Sequence, residues 1–153
     1  MQAVKLGVKA ASKLDQARSG CPVSLGLDVF GDRWTLLIIR DLMFSGKRHY
    51  RKILHSEEHI SSNILADRLQ MLLAEGVISR SGDPGHAQKV VYSLTEKGIA
   101  LLPIILEISR WSFAYRPVGE AFQNPGELSA QDAVQSLDQQ MERLRREHLG
   151  QVS

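Results

Sequence analysis

The stretch that most constrains this chain is residues 60–94, where a helical period gives way to two extended runs around a dense turn. Ser61 and Ser62 offer hydroxyls for a helix N-terminus, and Ile64, Leu65, Leu69, Leu72 and Leu73 recur on one helical face. Gly76 follows Glu75, where a glycine commonly ends a helix. Val77-Ile78-Ser79-Arg80 is too short and too β-branched for another helix and reads as a strand. Ser81-Gly82-Asp83-Pro84-Gly85 supplies the turn and Lys89-Val90-Val91-Tyr92-Ser93-Leu94 the returning strand. A helix followed at once by a hairpin leaves few folds open.

The residues before this stretch narrow the choice. Pro22 sits at a first helical position, and a short helix with Leu25, Leu27, Val29 and Phe30 runs up to Gly31. Asp32 is an N-cap for a second helix. There Trp34, Leu37, Ile38 and residues 42–44 supply core, Arg33, Arg40 and Asp41 face solvent, and Ser45-Gly46 ends the helix. Residues 50–54 form a third, brief helix approached through Lys47-Arg48-His49, and a polar connection, 55–59, leads to the helix from Ser61. Two short helices joined by a small turn are a helix-turn-helix, and the hairpin behind them is a wing. The fold class expected is mainly α with a small β-hairpin, a winged helix-turn-helix domain with flanking helices for dimerisation.

Downstream, Thr95-Glu96-Lys97-Gly98 opens a helix that continues to Trp111, apolar almost all round, in which Pro103 kinks the helix or loosens a turn. One face packs on its own domain, and a chain of 153 residues has little left to cover the other. A second copy about a two-fold axis is the economical cover. Residues 116–127 read as a linker, and Val134, Leu137, Met141 and Leu144, with His148 next in register, trace a seam of under three heptads. Such a seam cannot hold alone: it packs on a partner subunit, folds back, or stays a solvated tail. The chain divides into a basic N-terminal arm, equally readable as a frayed tail, 1–20, the winged helix, 21–115, and a linker with a C-terminal helix, 116–153.

Charge is local. The net charge is +2, yet residues 45–55 hold Lys47, Arg48, Arg51 and Lys52 with His49 and His55 and no acid. From Glu120 onward, six acids face three arginines. One cysteine, Cys21, excludes an internal disulfide, and no signal-peptide stretch or run of about 20 apolar residues is seen, so a cytoplasmic protein without a membrane partner is expected. The five histidines include no metal-pair spacing except His55 and His59, which read as loop surface. No phosphate loop, metal cluster or nucleophile–base arrangement suggests an enzyme, and no cofactor is expected.

Cys21-Pro22-Val23, Gly31-Asp32-Arg33-Trp34, the Leu-Leu-Ile-Ile-Arg-Asp-Leu run at 36–42, Gly46-Lys47-Arg48-His49-Tyr50, the stretch from Ile60-Ser61 through Arg68-Leu69, Glu75-Gly76-Val77-Ile78-Ser79-Arg80 and Tyr92-Ser93-Leu94-Thr95-Glu96-Lys97-Gly98 jointly resemble the HxlR-type transcriptional regulators, winged helix-turn-helix proteins related to the MarR group. The resemblance spans about residues 21–115. It implies a homodimer on double-stranded operator DNA, with the helix from Ser61 in the major groove, the wing on the flanking minor groove or backbone, and terminal helices at the dimer interface.

Ser62, Asn63, Ala66, Asp67 and Gln70, small or hydrogen-bonding groups on the face opposite the leucines, are then the candidates for base edges. Lys47, Arg48, His49, Arg51, Lys52, Ser61 and Arg68 are candidates for the DNA backbone, Arg68 serving equally as a brace to Glu75 or Asp32. In the wing the candidates are His86, Gln88 and Lys89. Relatives of this type usually carry a Pro-Gly-like turn before the recognition helix and wing prolines followed by arginine. Here residues 55–59 stand in the first place, bringing Glu57 and Glu58, and Lys89 is the basic residue in the second. Some relatives use a cysteine at the position of Cys21 to sense oxidants, against the alternative of a half-buried thiol with no role. A small-molecule effector is compatible with a pocket near the dimer helices. The competing function is a winged-helix protein-interaction module without specific DNA binding.

Overall fold

The structure is a computed structural model that describes residues 17–123 and 136–150, the side chains of Ala87 and Gln88 excepted. The lysines of the expected basic arm, Lys5, Lys9 and Lys13, and the seam residue Val134 lie outside the described residues. Helix α1 (Pro22–Phe30) starts on its proline, and α2 (Thr35–Phe44) follows. Regular hydrogen bonding begins at Thr35, three residues after Asp32. Even so, the Asp32 carboxylate accepts from the backbone N–H of Trp34 at 2.9 Å and of Thr35 at 3.0 Å, as well as from the Thr35 hydroxyl. The aspartate therefore does the work of a cap from outside the helix.

Helices α3 (Tyr50–Leu54) and α4 (Ser62–Ala74) form the helix-turn-helix. Ser61 caps α4, accepting from the amide of Ile64 at 3.3 Å. Gly76, at φ +70°, turns the chain out of α4 through a left-handed conformation that glycine adopts without strain. Strands β1 (Ile78–Asp83) and β2 (His86–Leu94) pair antiparallel from Ile78 with Leu94 to Gly82 with Val90, with a register shift before Asp83 meets His86. Ser81, Gly82 and Asp83 are thus in the strand, and the turn shrinks to Pro84-Gly85, because ladder bonds extend the strand through residues whose type alone suggests a loop.

Of the two outcomes open at Pro103, the structure shows the loosened turn. The expected single helix is two, α5 (Glu96–Ile99) and α6 (Leu102–Tyr115), with the proline in the first turn of the second, where its missing N–H costs nothing. Thr95 caps α5, and Gly98 lies where any Cβ would stand 2.3 Å from the Val77 carbonyl oxygen, so this helix can close on the base of the wing only through glycine. After a 3₁₀ turn, Glu120–Gln123, the last element is α7 (Leu137–Leu149), capped by Ser136.

One core joins α2, α3, α4, the wing and the last three helices: Ile38, Ile39, Leu42, Met43, Ile53, Leu65, Leu69, Leu72, Val77, Ile78, Leu94, Ile99, Leu102, Ile105 and Leu144 are buried together. Leu144 decides among the three fates left open for the C-terminal helix. α7 folds back onto β2 and α5 of its own chain. The expectation for Asp41 is overturned: it is buried, accepting from the Ser56 hydroxyl at 2.5 Å and from the Arg40 guanidinium at 2.8 Å. Arg40 is half-buried and forks between Asp41 and Glu58, also 2.8 Å away, so both polar groups leave water only by pairing. A correction also falls on membrane length. The run Glu96–Tyr115, 20 residues holding an 18-residue stretch of mean hydropathy 1.2, is long and apolar enough for a span, but Ile99, Leu102 and Ile105 in it are domain core.

Candidate nucleic-acid interface

Helix α4 turns its leucines inward and leaves Ser62, Asn63, Ala66, Asp67 and Gln70 exposed along one outer face. Met71, grouped with that face by its spacing, is half-buried against the core. The phenol of Tyr50 donates to the Ser62 carbonyl at 3.0 Å, which sets the first turn of α3 beside the first turn of α4. Arg51 and Lys52, on α3, are both exposed. Exposed cations thus stand next to the amino end of α4, where free amides and the helix dipole favour an anion.

The turn between the helices is held from below. Arg40 reaches Glu58 with two hydrogen bonds, at 2.9 and 2.8 Å, and this partner keeps the Glu58 carboxyl below its ordinary pKa despite partial burial. For Arg40 itself, burial opposes the charge, but Glu58 and Asp41 together raise its pKa. Lys47 Nζ donates to the Ser56 hydroxyl at 2.9 Å, and Ser56 in turn donates to Asp41. One of the two acids before α4, Glu58, is therefore already neutralised by the protein. Arg40 and Asp41, adjacent in sequence and placed on a helix, gave no sign of this pairing because Glu58 is 18 residues from Arg40.

Other expected contacts take distinct places. Arg48, expected on a phosphate, is spent inside the molecule: its Nε donates to the Tyr92 carbonyl at 3.0 Å, one terminal nitrogen to the Glu147 carbonyl at 3.0 Å and the other to the Ser93 hydroxyl. Burial pushes the Arg48 pKa down, partly offset by Glu147. The physical reason is the ladder: the Tyr92 amide donates to the Arg48 carbonyl at 2.8 Å, which lays residue 48 along the open edge of β2 and directs its side chain over that strand. His49 Nε2 lies 2.9 Å from the Asp83 carboxylate, tying the approach to α3 to the tip of the wing. Asp83 is held low in pKa first by the Gly85 amide and then by His49.

Arg68 is half-buried with Nε 3.6 Å from the Asp32 carboxylate and 3.8 Å from that of Asp67, which fits the brace to Asp32 rather than one to Glu75. His86 and Lys89 are exposed on β2; Gln88 lies in the same strand, its side chain outside the described part. Ser61 is engaged as the cap, and Cys21 is exposed at the N-cap position of α1.

A short helix pair, an outward polar face on the second helix and a bulged hairpin tied back to the first define a winged helix-turn-helix. A family described as HxlR-like helix-turn-helix matches residues 29–120, more than half of the chain. The chain belongs to the HxlR-like helix-turn-helix family. It is an HTH-type transcriptional regulator, in a family of regulators rather than enzymes, and DNA binding is what such a family implies.

Among similar proteins, the HTH-type transcriptional regulator YvaP of Bacillus subtilis is 37% identical over 93 residues, 60% of this chain and 85% of that protein. The reduced form of the regulator YodB from B. subtilis is similar in structure at a TM-score of 0.52 and 31% identity, covering 65% of this chain and 98% of that one. The redox regulator HypR in its oxidised form matches at 0.55 and 34%, covering 64% and 100%. The HxlR-like match ends at residue 120, so α7 lies beyond it.

Proposed function

We propose that this regulator acts as a homodimer on operator DNA in the cytoplasm, α4 reading base edges in the major groove. The observation that carries the reading is the outer face of α4, where five small or hydrogen-bonding residues stand exposed between a capped amino end and the cations of α3. Asn63 and Gln70 are suited to bidentate pairing with adenine, Ser62, Ala66 and Asp67 complete the face, and Lys47, His49, Arg51, Lys52, Ser61 and Arg68 with the wing residues His86, Gln88 and Lys89 form the backbone-contacting set. Arg48 leaves that set for the reason given above.

A second copy is supported by α6. Its outer side exposes Ile108 at 49%, Trp111 at 58% and Tyr115 at 73%, beside an apolar groove of about 490 Å³ lined by Pro103, Ile104, Glu107, Ile108 and Trp111. Exposed apolar surface of this kind marks an interface. Selection from a random duplex pool, followed across salt, tests the whole reading. A two-fold symmetric motif with half-sites about one helical turn apart is expected, and binding without enrichment refutes it in favour of a protein-interaction module. In sedimentation, Trp111→Glu should convert a dimer to a monomer.

Cys21 supports a second, redox reading. Its thiol is exposed and held below the ordinary pKa by the backbone amides of Ser24 and then Val23 at the start of α1, so thiolate is more available for oxidation. The structural relatives include a redox regulator, HypR. Peroxide treatment that leaves the operator affinity of the wild type unchanged would remove this role. An effector would find a cavity of about 250 Å³ between α2 and α6, lined in part by Leu37, Ile105, Ser109, Ser112 and Phe113.

A further inference from the structure

We infer that α7 positions the wing, with Arg48 and His148 as the residues through which it acts, so that release of α7 loosens β2 and weakens the grip on DNA; this last step alone rests on the operator-binding reading. A two-stranded hairpin is marginal by itself. Here β1 covers one edge of β2, and the other edge ends against α7. The Leu94 amide donates to Nδ1 of His148 at 3.0 Å, so Nδ1 carries no proton, and Nε2 donates to the Leu42 carbonyl, also at 3.0 Å. One buried imidazole thus joins the end of β2 to α2. Arg48 crosses the same junction, donating to Tyr92 and Ser93 of β2 and to the Glu147 carbonyl of α7. Arg145 adds an ion pair to Glu96 at 2.9 Å.

This junction is built for a neutral histidine. A proton on Nδ1 would face an amide hydrogen. Arg48 beside the junction and Arg143 on α7 are cations that oppose it, while of the acids on the same helix Glu147, next to His148 in sequence, pairs with Arg143 at 3.7 Å, Glu142 pairs with Arg145 at 3.5 Å, and Asp138 lies in the first turn at the far end. The facing groups of α2 and β2 are the Leu42 carbonyl and the Leu94 amide, neither of which titrates, and α5 presents Glu96, already paired with Arg145. Burial and then Arg48 lower the His148 pKa from 6.5 to about 4.

Hydrogen exchange of the full chain, corrected for intrinsic rates, tests the coupling. From pH 7.5 to 5, proton competition between those two values should raise the opening of α7 ~25-fold, with the β2 amides following and affinity for duplex DNA falling in step. His148→Gln, which can bond both ways but does not titrate, should be flat. If that variant does not fold, Leu144→Ala at pH 7.5 should loosen α7 and β2 together while α2 to α4 keep their protection. Opening of α7 with β2 unmoved overturns the inference, as does equal protection of α7 at both pH values in the wild type. Coupled opening of α7 and β2 in a protein that binds no duplex at any pH supports the brace and refutes operator binding.

Discussion

Helices α4 and α7 are each 13 residues long and each starts on a serine cap, yet they use their polar residues in opposite directions. α4 buries only leucines, Leu65, Leu69 and Leu72, and sets its hydrogen-bonding groups in solvent. α7 buries Gln140 and His148 on either side of Leu144. A polar group exposed on a helix is available to a partner, whereas one turned inward must find its bonds within the fold and so fixes the geometry of what it touches. The first helix is thus suited to reading and the second to holding, and one arginine, Arg48, went to the holding side although its sequence neighbours suggested the reading side.

The sharpest way to break this comparison is to remove one leucine from each helix. Leu65→Ala should cost about 2–5 kcal/mol of global stability in denaturant unfolding, because Leu65 lies at the centre of the core. Leu144→Ala should act first through loss of α7 protection, with the main unfolding transition retained. A single transition lowered equally by both would make α7 part of the domain proper and not a brace on it.

Acid offers the next test. Since the His148 pKa is lowered from 6.5 to about 4, the unfolded chain binds the extra proton between those values. The stability this residue contributes is complete above pH 6.5 and is lost as pH falls towards 4, on the order of 3 kcal/mol in all. His148→Gln should flatten that part of the stability profile, whereas no variant on the outer face of α4 should change it.

On the reading side, Asn63→Ala should relax base preference at one operator position by about 1–3 kcal/mol, while Arg51→Ala should weaken binding to every sequence and reduce the salt slope by about one. Arg48→Ala should instead loosen the wing and leave the slope near that of the wild type. A full unit lost from the slope with exchange in β2 unchanged would return Arg48 to the phosphate set. The smallest effects belong to the caps. Ser61→Ala and Ser136→Ala should each cost about 1 kcal/mol or less, the first seen in global unfolding and the second only in the fraying of α7.

The sequence by itself determined the order of elements and nearly all their types. Periodicity, Pro22, the serine and threonine caps and Gly76 act within a few residues of where they stand, so the helix-turn-helix, the wing and the outward face of α4 were legible without any tertiary contact. The split at Pro103 was half legible: the proline announced a disturbance, and its place in the first turn of α6 was decided by how α5 closes on the wing.

Tertiary structure alone decided where the charged and polar groups went. Asp41, Arg40 and Glu58 read as three surface residues, and Arg48 as one cation in a basic run, because, the adjacent Arg40–Asp41 pair apart, the partners Ser56, Glu58 and Glu147 stand 15 to 99 residues away. His148 read as the next step of a leucine seam, since spacing reports a face but not what the face meets. A hydrogen bond between groups remote in sequence leaves no local pattern, and here such bonds separate the helix that faces outward from the helix that holds the wing.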